Sequence, residues 1–187
     1  MINPYSVGKK VYLRAPEEGD LAGDWYTWFS DYETTQFLPG RAWPNTREQQ
    51  ATFYESTKNA RDRLVLCICT NSGDEHIGIC NLSAIDWVSR HADVALVIGN
   101  KKFRTGDIAV EVLAQLLEIA FLRLNLMNLR TTHIANNPFT PLLEKIFGFK
   151  EVGRFEDFCY SAGKYEDFVM SQLKREWWEQ RNASPAK

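Results

Sequence analysis

Histidine is scarce in this chain. Three residues, at 76, 91 and 133, are too few and too scattered for a zinc centre, and no metal site is expected. The four cysteines (67, 69, 80 and 159) show no pairing framework. On a strand, Cys67 and Cys69 would point to one face with Cys80 on a neighbouring strand, the pattern of buried reduced thiols in a cytoplasmic protein. No apolar run approaches membrane-spanning length, and the first residues lack the basic-then-apolar pattern of a signal peptide. Neither a membrane nor export is therefore expected. Neither sign of charge dominates: 22 Lys and Arg stand against 24 Asp and Glu, a net charge of −2. That balance argues against a general nucleic-acid surface. Linkers, repeats and low-complexity segments are also missing, so one domain is expected over 1–187, with a core of about 10–177 and a frayed tail at 182–187.

What is present has ordinary globular proportions, 44% hydrophobic and 25% charged. Residues 10–14 alternate like a first strand, and a helix carrying Trp25, Trp28 and Phe29 follows from about 16. An irregular, aromatic-rich stretch covers 31–44, and Thr46 has the chemistry of an N-cap for a helix to about 60. Strands are predicted at 64–70, 76–86 and 91–98. Apolar residues at 109, 113, 116, 117, 120, 121 and 124 mark a long amphipathic helix. A strand at 127–135, a Pro-containing loop, a short helix ending at Gly148, and a hairpin at 150–160 and 166–173 complete the pattern. It predicts a mixed, mostly antiparallel sheet with helices on both faces, an α+β fold of α/β/α sandwich type.

The turn at 100–107 carries the most chemistry. An apolar strand, a basic turn with Gly106 and a helix start form an anion site, because the first helical amides lack partners and lie at the positive end of the dipole. Arg104 adds a guanidinium, and the guest suited to it is a phosphate or pyrophosphate. Asp107 opposes it with a negative charge, and also has the chemistry of an N-cap for a helix beginning at Ile108. An ordinary strand–turn–helix corner is the plain alternative.

Further residues fall in a familiar order: Ile77-Gly78, Leu82, Ile85-Asp86, Arg90, Ala92-Asp93, Ile98-Gly99, 104–109, Glu111, 121–126, Asn137, Gly148-Phe149, Gly153, 163–167 and 170–177. In this order and spacing the chain resembles the GNAT superfamily of acyl-CoA N-acyltransferases, nearest the branch of ribosomal-protein alanine and spermidine acetyltransferases. The resemblance implies acetyl-CoA as cofactor and splayed parallel strands at 93–98 and 129–135, with pantetheine between them along Val97 and Ile98. It implies pyrophosphate on the amides of Thr105, Gly106, Asp107, Ile108 and Ala109, with Arg104 and Asn137 nearby. Asp107 stands where the family places glycine, and is expected to weaken cofactor binding about tenfold without abolishing it.

For catalysis, Asp93 aligns with a common acidic residue and is the candidate base, with a salt-bridged strand carboxylate near Arg90 as the alternative. His91 and His133 are alternative candidates for the base, with a structural strand histidine as the plainer reading of each. Glu144 stands where the family keeps a tyrosine acid, and a surface glutamate is its plainer reading; Pro141 is expected at the first helical position behind Thr140 as N-cap. The same resemblance implies an acceptor entering beside the first helices and their connecting loop, among Asp31, Tyr32, Glu33 and Trp43, where aromatics with carboxylates suit a cationic amine or a stacking ring. Trp25, Trp28 and Phe29 have the spacing of core residues. The acceptor is a small-molecule amine (a polyamine or an amino sugar) or a protein N-terminus, and a homodimer is left open. The alternative from a different class is a GNAT-fold protein that has lost catalysis and serves as a binding or assembly module.

Overall fold

The computed structural model of the protein describes residues 1–38 and 43–183. The middle of the aromatic stretch (39–42) and the last part of the expected tail (184–187) lie outside the described residues. Eight strands form one sheet in the order β1-β2-β3-β4-β5-β6-β8-β7. They are β1 (Ser6–Val7), β2 (Val11–Arg14), β3 (Leu64–Thr70), β4 (His76–Asp86), β5 (His91–Ile98), β6 (Asn128–Ile134), β7 (Lys150–Ser161) and β8 (Lys164–Lys174). Every neighbouring pair is antiparallel except β5 and β6.

The helices are α1 (Trp25–Trp28), α2 (Tyr32–Thr35), α3 (Arg47–Thr57), α4 (Gly106–Glu118), α5 (Thr140–Leu142) and α6 (Arg175–Ala183). Thr46 caps α3 as expected, in a reciprocal box with Gln49. α4 begins two residues earlier than the sequence predicts: its N-cap is Thr105, and Asp107 lies in the first turn. It continues as a π turn over Ile119–Arg123 and stops at Asn125, which takes a left-handed conformation. α5 is capped by Phe139 rather than Thr140, and runs into a π turn over Leu143–Phe147 that ends on left-handed Gly148.

Two cores sandwich the sheet. Val112, Leu113, Leu116 and Leu117 of α4 pack on Leu13, Ile68, Leu82, Ala92, Val94 and Leu129, with Leu143 and Phe147 beside them. On the other face Trp25, Trp28, Phe29 and Tyr54 pack on Ile79 and Val97. The Trp28 ring lies so close to Gly99 that a Cβ there would fall 1.9 Å from it, which requires glycine at the end of β5.

A polar cluster is buried beside the second core. Arg14 donates to both carboxylate oxygens of Asp20, at 2.8 and 2.6 Å, and His76 Nδ1 lies 3.3 Å from the same group. Cys67 completes the one Asp–Cys–His grouping with metal-ligand spacing among the described residues. Arg14 already occupies that carboxylate, and burial pushes the Cys67 thiol up and keeps it protonated. The cluster is a clamp between β2, β3 and the turn at Glu18–Ala22.

Candidate active site

The parallel pair that joins the two halves of the sheet is short. His91, Ala92 and Asp93 pair with Asn128, Leu129 and Arg130, and no further pairing connects β5 to β6. Beyond that point β5 stays on β4 through Ile98, while β6 follows β8 through Ile134. A gap opens between them, edged by backbone groups of Val94 to Ile98 and Thr131 to Ile134. Such an edge can take an extended guest through main-chain hydrogen bonds.

At the fork, the Asp93 carboxylate accepts from Arg130 Nε and Nη2, both at 2.7 Å. The alternative partner, Arg90, is instead bonded to Asn125. Alternation along β5 places Ala92, Val94 and Ile98 toward α4, so Asp93, Ala95 and Val97 face α1 and α3.

The open end of the gap meets the start of α4. The Thr105 side chain makes no capping bond, which leaves the Gly106 and Ile108 amides available. The Asp107 amide is met by its own carboxylate, and those of Thr105 and Ala109 donate to the Phe103 and Thr105 carbonyls. Gly106 faces α5, with Leu142 Cδ1 3.9 Å from where its Cβ would stand. Asp107 pairs with Lys10 from the turn before β2. That bond, and a second from Thr105, hold the Asp107 carboxyl far below its ordinary range, and Lys10 is raised in turn. The charge of Asp107 therefore has a counterion that the sequence did not reveal. Glu111, one helical turn on, accepts from the Lys10 and Val11 amides and ties the same turn to α4.

Arg104 is placed differently from the expectation. Its guanidinium turns toward α2, donating to Thr34 Oγ1 at 2.6 Å, Glu33 at 3.3 Å and the carbonyl oxygens of Ile98 and Gly99. Lys101 joins it, bonded to Glu33 at 2.7 Å and Asp31 at 3.2 Å. The carboxylates of Asp31 and Glu33 thus pin α2 to the end of β5. Asp31 also caps α2 through the Thr34 amide.

A cavity of about 530 Å³ lies on the Asp93 face, against Ala95, Leu96 and Val97 of the unpaired β5 segment. Phe29, Leu38, Phe53 and Trp43 supply its apolar lining, and Asn45, Gln49, Gln50 and Asn81 its amides. Of the four acceptor-side residues expected from the sequence, Trp43 lines this cavity; Asp31, Tyr32 and Glu33 do not. Gln50 and Asn81 went unnoticed because nothing in a helix or strand pattern says which polar residue faces a cavity.

On the opposite face, Glu144 is exposed at the start of the π turn. Asn137 shapes the loop ahead of α5, its Oδ1 accepting from the Phe139 amide at 3.0 Å. His133 is buried on β6, neither ring nitrogen has a partner, and burial lowers its pKa. His91 is exposed near Asp86.

The profile of the "Acetyltransferase (GNAT) domain" family matches residues 10–150. The chain belongs to the GNAT acetyltransferase family. It is an N-acetyltransferase whose acetyl donor is acetyl-CoA. Solved structures share its fold across nearly the whole chain. A spermidine N-acetyltransferase from Vibrio cholerae, in complex with CoA and spermine, superposes with a TM-score of 0.81 at 18% identity, covering 90% of this chain and 97% of that one. Mycobacterium smegmatis RimJ in complex with CoA-disulfide gives 0.78 at 18%, covering 93% and 89%. A GNAT-family acetyltransferase from Bacillus anthracis gives 0.75 at 17%, covering 91% and 98%. A search of curated protein sequences finds no match. No helix among the described residues is long and apolar enough to cross a membrane.

Proposed function

We propose that this GNAT protein acetylates a primary amine that enters from the α1–α3 face and meets the thioester at the fork between β5 and β6. The observation that carries the reading is the break in the ladder after the Asp93–Arg130 pair, with the uncapped start of α4 at the other end of the same gap. The residues present fit the cofactor. The β5 edge at Val97 and Ile98 borders the gap for pantetheine, with the Ile98 carbonyl already held by Arg104. The helix start at Gly106 to Ile108 suits a pyrophosphate, the Thr105 and Ala109 amides being bonded to the Phe103 and Thr105 carbonyls; Asn137 lies at the mouth. Acetyl-CoA supplies the activated thioester carbonyl.

The chain's own part is to orient the amine and manage its proton. Asp93 sits on the acceptor face at the fork, held in one orientation by Arg130, and takes the proton from the incoming ammonium directly or through a water. Exposed Glu144 is not positioned as a buried acid, so the leaving thiolate takes its proton from water or from the amine. Among acceptors, a polyamine, an amino sugar and a protein N-terminus all bear the required amine. The buried, protonated thiols of Cys67, Cys69 and Cys80 suit a reducing compartment such as the cytoplasm.

Exposure of Glu144 favours the second reading, a binding module without turnover. Calorimetry with acetyl-CoA, followed by thiol release with a panel of primary amines, separates the two. Binding with amine-dependent release supports the enzyme, and binding without release from any amine supports the module. Absence of acetyl-CoA binding overturns both.

A further inference from the structure

The cavity beside β5 limits what the acceptor can be. None of its described lining residues carries a charge. A polyamine would bring a second ammonium into this space with no carboxylate to meet it, and an unpaired buried charge is strongly disfavoured. The acidic residues that looked suited to that task, Asp31 and Glu33, are bonded to Lys101 and Arg104.

The lining offers amides instead. Gln50 is 3% exposed. Its Oε1 accepts from Asn45 Nδ2 at 3.0 Å, which fixes the orientation of the amide. Its Nε2 is buried without a hydrogen-bond partner. A buried donor left unpaired is a standing cost that an oxygen-bearing ligand removes. An alkyl polyamine has no oxygen to offer. Asn81 can donate and accept, as hydroxyl groups do. Asn45, whose amide hydrogens go to Tyr26 and Gln50, keeps its oxygen to accept, and Gln49, whose oxygen caps α3, keeps its Nε2 to donate. Trp43, 83% exposed, adds a flat apolar indole of the kind on which the carbon face of a pyranose rests.

We infer that the acceptor is an amino sugar, a neutral hydroxylated ring whose oxygen accepts from Gln50 Nε2 while its face lies on Trp43 and its amine reaches toward Asp93. The inference rests on the acetyltransferase reading above. The cavity, at about 530 Å³, has room for a hexose and part of its aglycone. In the reaction the amine nitrogen forms the new bond to the acetyl carbon, the carbon–sulfur bond breaks, CoA leaves as the thiol, and Asp93 carries away the ammonium proton.

The test is steady-state thiol release with acetyl-CoA and three acceptor sets. These are aminohexoses with the amine on different ring carbons (free and as methyl glycosides), spermidine, and a short peptide with a free N-terminal alanine. The expected result is the highest kcat/KM with an aminohexose. Gln50→Met, which keeps size and removes the amide donor, should raise KM for that sugar about tenfold, with acetyl-CoA affinity unchanged by calorimetry. Trp43→Ala, at an exposed position that does not threaten folding, should also raise KM for the sugar. Preference for spermidine or the peptide, no acetylation of any aminohexose, or a sugar KM that neither variant changes, each overturns the inference. Acetylation of spermidine or the peptide alone would leave the acetyltransferase reading standing, whereas failure to bind acetyl-CoA would remove that reading itself.

Discussion

Replacing Arg130 with alanine tests the fork directly. In the folded protein the guanidinium occupies both oxygens of Asp93, in the last register where β5 and β6 still pair. The Arg130 side chain is 53% exposed, so the pair is screened by solvent and contributes about 1 kcal/mol to stability. In a 187-residue chain that is a fall in Tm of about 2–4 °C. The effect on turnover should be larger than this thermal cost suggests, because the guanidinium also orients the base. With Arg130→Ala, kcat is expected to drop about tenfold and acetyl-CoA affinity to stay unchanged, since the cofactor's backbone partners are untouched. Asp93→Asn should cost about 10²-fold, and the double variant no more than Asp93→Asn alone, because Arg130 acts through Asp93. The assay is thiol release across pH, with a thermal melt and calorimetry as controls. The Asp93→Asn defect should shrink at high pH, where the amine loses its proton unaided. If Arg130→Ala lowers Tm but leaves kcat at the wild-type value, the pair is only a clasp between strands, and the base lies elsewhere.

Two further outcomes follow from charges the sequence did not pair. Lys10→Met should weaken CoA binding about fivefold by leaving the Asp107 carboxylate uncompensated at the anion site, and Lys10→Met/Asp107→Asn should restore it; calorimetry at low and moderate salt reads both. Burial works against the charge of Asp20 and is outweighed by hydrogen bonds from Arg14 and His76, so its folded pKa lies well below the unfolded value. The stability this supplies is complete above about pH 4–5 and drains away as pH falls toward the folded pKa. Asp20→Asn should therefore lower stability by about 3 kcal/mol at pH 7 and flatten the acid limb of a urea-melt pH series. An acid limb as steep as wild type would put the linkage on other carboxylates.

Much of the sheet was legible because periodicity is local. The limits of β3, β4 and β5 and the apolar stripe of α4 follow from residues that stand next to one another in the chain. Two-residue β1 carries too little pattern to be read. α6 has no apolar stripe and is anchored by Trp178 on Phe121, a contact between distant segments. The start of α4 shifted because Gly106 and Asp107 both suit a first helical turn, and a cap-forming residue type does not fix which position it takes. In the site, the fork itself was legible through family resemblance, but its chemistry was not. Asp93 meets Arg130 only through the parallel register, Asp107 meets Lys10 across 97 positions, and Arg104 turns to Thr34 across 70. Asp31 and Glu33 were placed on the acceptor side from the resembled fold and their carboxylates, and neighbours in sequence could not show that their partners come from the turn after β5.

The three-residue seam between β5 and β6 also bears on how the sheet opens and folds. On one side of it, β1 to β5 form an antiparallel meander; on the other, β6 joins a hairpin of β7 and β8. The two parts are linked through α4 and so short a parallel ladder that the amides flanking the gap have no strand to protect them. In the free protein these amides should exchange faster than those within the paired ladders. A guest bound along them supplies a missing rung for each half. Ligand occupancy then becomes a mechanical property of the domain, stiffening the one line along which its two halves can part.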